Sequence, residues 1–293
     1  RHGGQGREGD GVLARRVTRK ERASALEAAR GVMRVHEMGE SERLVPLKHA
    51  AQAVPHAVIE TNTNCNVRCR ACYAKDRPTV KPLGRVKAEI DAVLALRRLE
   101  TISLLGGEPT LHPDLPAIVR YVKSRGLFCV VATNGVRFLR GDLGLLDALV
   151  AAGVDRFLLH VDSGQPHLEG DVEGARQRLF ELLDRRRVLY GLSLTLYPGE
   201  EGELVRVARA YAPHRWFDGA LVTLAFDFAH VFDPASARGP EADLCAVHRS
   251  LANDLRVEPS GYVPSSLDDA EVRWLLYFFF VNASTGAACA KTC

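Results

Sequence analysis

The sequence predicts an α/β fold in which six strand–helix units form a partial barrel. Short runs rich in β-branched and apolar residues recur along the chain: Val58–Thr61, Thr101–Leu105, Phe128–Ala132, Phe157–Val161, Leu192–Leu196 and Ala220–Phe226. Helical spacing lies between these runs, near Gly84–Leu99, Asp114–Arg125, Leu143–Ala152, Glu173–Arg186 and Glu201–Ala212. Strands that alternate with helices predict right-handed βαβ units and a parallel sheet. Six such units in a row favour one partial (β/α)6 TIM-like barrel over two domains.

Length and composition suit one such domain with short additions. The chain has 293 residues, and its apolar fraction of 46% is enough for a sizeable core. A net charge of +3 gives little support for a nucleic-acid partner, and the early basic residues are interpreted as a solvated helix face. No signal peptide is expected, and the longest apolar stretch, Trp274 to Val281, is too short to span a bilayer.

The cysteine count bears on the compartment. Seven cysteines, an odd number with three crowded together, favour the reducing cytoplasm and a metal site over a disulfide framework.

Three segments are predicted along the chain. Residues 1–55 form an N-terminal segment, with a Gly-rich start expected to be disordered and helical spacing from about Val17 to Met38. Residues 56–232 form the barrel, and residues 233–293 form a small C-terminal extension.

Polar residues follow each predicted strand. The six segments read "NTNC", "GGEPT", "TNG", "DSG", "YPG" and "DFAH". Because active sites of such barrels lie at the C-terminal ends of the strands, these residues are expected to form one polar constellation at one mouth.

Three cysteines stand close together in "NCNVRCRACY", at Cys65, Cys69 and Cys72. Structural zinc sites and ordinary cubane clusters both take four protein ligands. A zinc ribbon would need a second C-x2-C pair, and none occurs in the predicted barrel. A [4Fe–4S] cluster held by three cysteines leaves one iron open, and a small molecule with an amine and a carboxylate can chelate it. A plain ferredoxin-like centre is the other interpretation.

C-x3-C-x2-C after the first strand, with "GGEP" after the second, resembles the radical S-adenosylmethionine (SAM) superfamily over roughly Val58 to Phe226. The resemblance implies that the three cysteines bind three irons of an oxygen-sensitive [4Fe–4S] cluster and that SAM chelates the fourth. Reductive cleavage of SAM would give methionine and a 5′-deoxyadenosyl radical, which abstracts hydrogen from an unactivated C–H bond. It also implies an electron donor of the flavodoxin or ferredoxin type.

Residues at the strand ends are the candidates for binding SAM. Two glycines of "GGEPT" allow close approach of the backbone to a ligand, and Glu108 can accept a hydrogen bond from the methionyl ammonium. The same letters also suit a helix-entry turn, and "TNG" suits a glycine turn. The expected cofactor-binding set is Tyr73, Gly106, Gly107, Glu108, Pro109, Thr133, Asn134, His160, Asp162 and Thr195.

Two of these residues are also candidates for a catalytic role. His160 stands where many relatives carry a serine near the ribose, and Asp162 matches their acidic residue. His160 is expected to contact SAM, to donate to the substrate, or to point into the barrel. Many relatives have an aromatic residue before the third cysteine, whereas here Ala71 stands there and Tyr73 follows. The adenine is then stacked by Tyr73 or lined by aliphatic residues.

The C-terminal extension resembles the SPASM or twitch extensions that hold auxiliary [4Fe–4S] clusters in many radical SAM enzymes. Cys245, Cys289 and Cys293 could hold such a cluster, although Ser266 occupies one expected cysteine position. The other interpretation is that these thiols are free. Turn signals around Gly261 predict a small β-hairpin.

The segment "EVRWLLYFFFVNA" (Glu271–Ala283) is predicted to be an aromatic helix. It is expected to pack against the barrel opening. The alternatives are an apolar wall for a greasy substrate and a contact with membrane lipid.

The function predicted from these features is radical chemistry on a peptide or small-molecule substrate. A lipid or other apolar chain is the alternative substrate, and a nucleotide is a further one, although the matching C-terminal cluster pattern is not evident. A function of another class, a non-enzymatic Fe–S redox or sensor protein, would need the cluster but not the "GGEP" mouth.

Overall fold

A six-stranded parallel sheet organises the protein. The computed structural model describes residues 45–46, 55–72, 78–168, 170–225, 242–264, 272–277, 279–281, 285 and 287–290. A short strand, β1 (Val45–Pro46), precedes the sheet. The sheet strands are β2 (His56–Asn62), β3 (Thr101–Gly106), β4 (Phe128–Thr133), β5 (Arg156–His160), β6 (Leu189–Leu196) and β7 (Phe217–Leu224).

The strands are arranged in the sheet in the order in which they occur in the chain, and every neighbouring pair is parallel. This is the open α/β arrangement that the alternation of runs and helices predicts, and all six predicted strands are confirmed. The carboxyl ends of the strands therefore meet at one edge, which places the polar segments at a common mouth.

Helices connect consecutive strands and cover one face of the sheet. The five predicted helices form close to their expected bounds. The helices are α1 (Leu83–Leu96), α2 (Leu115–Ser124), the short α3 (Val136–Leu139), α4 (Leu143–Ala151), α5 (Val172–Arg186), α6 (Glu203–Tyr211) and α7 (Leu244–Ser250).

The two faces of the sheet differ in character. Side chains that face the helices are apolar and buried, as in the row of paired residues formed by Ile59, Leu104, Val131 and Phe157. On the opposite face Val58 keeps 50% of its surface exposed within the described part of the chain. The period of two along each strand separates these faces. We call the face opposite the helices the open face. It adjoins the mouth, because both belong to the same six strands.

An aromatic cluster packs α5 and α6 against the end of the sheet. Phe180 lies at its centre, with ring centroids 4.6 Å from Tyr190, 4.5 Å from Tyr211 and 5.5 Å from Phe217. Phe180 is fully buried. Edge-to-face and offset contacts of this kind add to the stability that burial alone provides.

The C-terminal part contains strands where a helix was expected. β8 (Gly261–Pro264) pairs antiparallel with β9 (Val272–Leu276) and parallel with β1, and β10 (Phe279–Val281) pairs antiparallel with β11 (Ala288–Ala290). The helix prediction for Glu271–Ala283 is therefore wrong. The hairpin prediction around Gly261 is confirmed. Aromatic and β-branched residues favour strands, and a short apolar run has no periodicity to exclude them.

Several sequence predictions fall outside the described residues. These are the helical spacing from Val17 to Met38, and the positions of Tyr73, Ser266 and Cys293. The three-segment division of the chain stays a prediction. None of the helices described here is both long enough and apolar enough to cross a membrane.

Truncation of the central aromatic residue should destabilise the fold. Phe180→Ala removes a fully buried ring from a packed cluster, so the free energy of unfolding should fall by about 3–5 kcal/mol. Leu96→Ala, at a position 80% exposed, is the control and should change it by less than about 0.5 kcal/mol. Denaturant unfolding of both variants checks this, and similar losses in the two would contradict the packing described.

Candidate metal and cofactor site

The segment that carries the three cysteines lies across the mouth. This cysteine loop (residues 63–72) begins directly after β2, where the nitrogen of Thr63 donates to the carbonyl of Thr79 at 2.8 Å. Further along, the nitrogen of Arg70 donates to the carbonyl of Gly164, beyond β5, at 2.9 Å. The loop therefore spans from the edge strand to the far side of the mouth.

The two glycines at the end of β3, Gly106 and Gly107, allow the end of β2 and the cysteine loop to pack closely. Gly106 has a φ of +145°, and a Cβ there would lie 1.9 Å from the carbonyl oxygen of Asn62. A Cβ on Gly107 would lie 2.2 Å from the carbonyl oxygen of Asn64. The nitrogens of Gly107 and Glu108 donate to these two oxygens at 2.8 and 2.9 Å. Only glycine is compatible with this approach, so the glycines are required by the cysteine loop itself.

The Glu108 carboxylate is buried behind these glycines and is 1% exposed. One oxygen accepts from the nitrogen and hydroxyl of Thr110 and from the hydroxyl of Thr133, and the other accepts from the nitrogen of Asn134 at 2.7 Å. Burial raises the pKa of Glu108, and these donors oppose the rise. The side chain thus joins the end of β3 to the end of β4.

Amide side chains connect this carboxylate to the cysteine loop. Asn134 Nδ2 donates to Asn66 Oδ1 at 2.8 Å and lies 3.8 Å from the Sγ of Cys65. Asn62, fully buried, donates to the carbonyl of Glu108 at 2.9 Å. Cys65 is therefore held next to the ends of β3 and β4.

Asp162 anchors a second group of predicted residues at the ends of β5 and β6. One of its oxygens accepts from the nitrogen of Gly164, and the other accepts from the nitrogen of Thr195; both distances are 2.9 Å. That second oxygen also lies 2.7 Å from His160 Nε2. Burial works against ionisation of Asp162, yet the His160 contact and the two backbone donors outweigh it and lower its pKa. We therefore assign a proton to His160 Nε2, which donates to Asp162.

Gln165 lies between this group and the cysteine loop and is 2% exposed. Its Nε2 donates to the carbonyl of His160 at 2.6 Å, and the side chain also hydrogen-bonds the thiol of Cys69. Its Oε1 has no hydrogen-bond partner within the described part of the chain. Asp162, Gln165 and Thr195 line a cavity of about 700 Å³ that extends towards the starts of α5 and α6.

The thiols themselves interact electrostatically. Burial raises the pKa of Cys65, a backbone hydrogen bond from Val67 opposes this, and Glu108 and Cys72 raise it further. The pKa of Cys69 is raised to about 12, first by burial and then by Asp162 and Cys72. Thiols in this setting ionise when a bound metal compensates their charge. The donor set, partly exposed at the mouth, therefore fits a thiolate-bound cluster.

No three His, Cys, Asp or Glu side chains in the described ranges converge as ligands of a single metal ion would. Cysteines of a [4Fe–4S] cluster each bind a different iron and are therefore more widely spaced than the ligands of one ion.

The structure brings most of the predicted residues to one mouth. Pro109 starts a short 3₁₀ turn behind Glu108, and Thr133 and Asn134 are engaged by protein partners, so their direct contacts with SAM stay predictions. Cys245 lies half-exposed in the first turn of α7, and Cys289 lies on β11 opposite Phe280. An auxiliary cluster at these cysteines stays a prediction.

Sequence reasoning missed several residues that position the site. Asn62, Asn66 and Gln165 hold the cysteine loop through side-chain amides. The amide-rich run "NTNCN" was a signal for the first two. Gln165 gave no signal, because its role depends on the packing of a loop distant in sequence.

Comparison with known proteins identifies the family. The family model described as the Radical SAM superfamily matches residues 59–209. The GTP 3′,8-cyclase of Chlorobaculum tepidum is 36% identical over 127 residues, which cover 42% of this chain and 37% of that protein. The PqqA peptide cyclase of Methylorubrum populi is 32% identical over 165 residues, covering 52% of this chain and 41% of that protein. The matched part is thus less than half of either relative.

Solved structures support the same fold. The crystal structure of Streptococcus suis SuiB bound to S-adenosylmethionine superposes with a TM-score of 0.52 at 14% identity, over 67% of this chain and 45% of SuiB. SuiB bound to its precursor peptide SuiA superposes with a TM-score of 0.51. These likenesses confirm the predicted partial barrel.

Replacement of the Glu108 carboxylate by an amide should weaken the mouth. In Glu108→Gln an NH₂ group faces groups that are themselves donors, so at least one buried donor loses its acceptor. The free energy of unfolding should fall by about 1–3 kcal/mol, measured by denaturant unfolding of the cluster-free chain. Glu181→Gln, at an exposed position on α5, is the matched control. Equal stability of the two variants would show that the Glu108 network does not hold the strand ends.

Proposed function

The chain belongs to the radical SAM superfamily, an enzyme class that uses SAM and a [4Fe–4S] cluster, and on this premise we propose that Cys65, Cys69 and Cys72 hold the cluster. The observation that carries the proposal is the packing of the cysteine loop onto Gly106 and Gly107, which fixes the thiols at the carboxyl edge of the sheet. Family membership makes the chain an enzyme rather than a non-enzymatic Fe–S protein.

SAM is proposed to bind at the same mouth. When bound, the cluster and SAM supply a 5′-deoxyadenosyl radical that abstracts hydrogen from an unactivated C–H bond. The main chain of Gly106 and Gly107 and the remaining acceptor position of Glu108 are the proposed contacts of the methionyl ammonium. Pro109, Thr133 and Asn134 keep these groups in place through the network around Glu108.

Asp162, His160 and Thr195 are the proposed contacts of the nucleoside part. The backbone donors of Gly164 and Thr195 keep Asp162 ionised, and Asp162 orients the His160 ring. The hydroxyl groups of a ribose can donate hydrogen bonds to a carboxylate oxygen or to an unprotonated imidazole nitrogen. A contact of His160 with a substrate on the open face is also proposed. Tyr73 remains a proposed contact of the adenine.

The substrate is proposed to be a peptide or a small polar molecule. The open face presents polar side chains, among them Glu60 and Thr223, beside apolar ones such as Val58 and Leu221. A mixed surface of this kind suits a ligand with both polar and apolar groups better than an apolar chain. Similarity to a peptide cyclase and to a GTP cyclase supports both readings of the substrate.

The lipid alternative has less support. It drew on an aromatic helix at Glu271–Ala283, and the described residues of that segment form strands instead.

An electron donor of the flavodoxin or ferredoxin type stays a proposal that follows from the need to reduce the cluster.

Cleavage of SAM tests the proposed function directly. The anaerobically reconstituted chain, incubated with SAM and dithionite, should yield 5′-deoxyadenosine and methionine. Cys69→Ser should abolish this yield because a cluster ligand is lost, whereas Cys129→Ser changes a buried thiol outside the mouth and should retain it. Chromatography of the products measures both. Absence of both products from the native chain would contradict the proposal.

An auxiliary cluster at Cys245, Cys289 and Cys293 is proposed from the resemblance of the extension. A variant with Cys65, Cys69 and Cys72 all changed to Ala should then retain about four irons per chain after reconstitution. Iron and sulfide analysis provides the count. Loss of all iron would show that the barrel cluster is the sole one, while a further Cys245→Ala change should remove any iron that remains.

A further inference from the structure

Tyr197, which follows β6, contacts the cysteine loop between its second and third cysteines. The guanidinium carbon of Arg70 lies 3.7 Å from the centre of the Tyr197 ring. Arg70 immediately follows Cys69 in the sequence and stands two residues before Cys72. The contact therefore holds the part of the loop that separates two proposed ligands.

The hydroxyl of Tyr197 makes a second contact with the same loop. Burial raises the pKa of this hydroxyl, and a backbone hydrogen bond from Ala71 opposes the rise. Ring and hydroxyl thus engage consecutive residues, Arg70 and Ala71. Tyr197 is 6% exposed, so both contacts are largely shielded from water.

Tyr197 is itself fixed by its surroundings. Its nitrogen donates to Glu200 Oε2 at 3.0 Å, and Glu200 accepts from the hydroxyl of Ser163 through its other oxygen. A Cβ on Gly164 would lie 2.0 Å from the Tyr197 hydroxyl oxygen, so only glycine leaves room for the ring there. The carbonyl of the same Gly164 accepts from the nitrogen of Arg70.

We propose that Tyr197 is a positioning residue that clamps the cysteine loop through Arg70 and Ala71 and so sets the placement of Cys69 and Cys72. The proposal rests on the proposed cluster, whose ligands these cysteines are. A guanidinium stacked on a shielded aromatic ring is stabilised more than at an exposed site. Loss of the clamp allows the loop to move while Cys65, held separately by Asn134, keeps its place.

Loss of the clamp should reduce how well the chain retains its cluster. A residue that only stabilises a distant part of the fold should not affect this retention. In Tyr197→Leu the rate at which a chelator removes iron from the reconstituted chain should rise about threefold to tenfold. Tyr197→Phe keeps the ring over Arg70 but loses the hydroxyl, so its rate should lie between the native and Tyr197→Leu rates. The electron paramagnetic resonance spectrum of the reduced cluster should also change more in Tyr197→Leu.

A control variant separates the clamp from general destabilisation. Tyr121→Leu, on α2, removes a tyrosine whose ring faces Arg125 at 4.9 Å and whose hydroxyl donates to Asp91, away from the mouth. Its iron-loss rate should equal the native rate even where its thermal midpoint falls. Arg70→Ala should reproduce the effect of Tyr197→Leu, and the double variant should lose iron no faster than either single one.

The outcomes are distinguishable from failure of the proposed function. A native chain that takes up no iron contradicts both proposals. A native chain that holds the cluster, with native iron-loss rates in Tyr197→Leu and Arg70→Ala, overturns the clamp alone. Additive effects of the two changes would also overturn it. If Tyr197→Leu does not fold, Arg70→Ala and Tyr197→Phe decide the question by the same rates.

Discussion

The carboxyl group of Glu108 is buried in the interior, and the hydrogen-bond donors of the mouth are arranged around its oxygens. A buried carboxylate is costly unless donors surround it, and here these donors come from the turn after β3 and from the end of β4. The need to satisfy one charge therefore fixes the relative position of two strand ends. Asn134 connects the same hydrogen-bond network to Cys65, so the network also constrains one of the proposed cluster ligands.

Close packing at Gly106 and Gly107 also constrains the position of the cysteine loop. The carbonyl oxygens of Asn62 and Asn64 occupy the space that side chains on Gly106 and Gly107 would need. The nitrogens of Gly107 and Glu108 thus donate backbone hydrogen bonds to the end of β2 and to the start of the cysteine loop. This explains in physical terms why "GGE" and the cysteines accompany one another, without reference to a ligand.

The regular elements could be predicted from the sequence because each depends on a local period. The six strands and the five main helices follow from runs of apolar residues separated by amphipathic ones. The aromatic segment at Trp274–Val281 lacked such a period, and the helix predicted there was wrong. The strand ends identified the mouth. The roles of Gln165 and Tyr197 could not be predicted, because they arise where loops distant in sequence meet.

The cysteine loop also has a mechanical role in an open sheet. β2 and β7 form the two edges of the six-stranded sheet, so strand pairing among the described residues leaves the barrel open. The loop leaves β2, bonds the ends of β3 and β4 near Cys65, and reaches the ends of β5 and β6 near Cys69. It therefore connects the strand ends across the carboxyl edge, through backbone and side-chain contacts in addition to the contact of the Cys65 thiol with Asn134. Contacts of this kind restrict the cysteine loop independently of any bound metal, which favours preorganisation of the thiols.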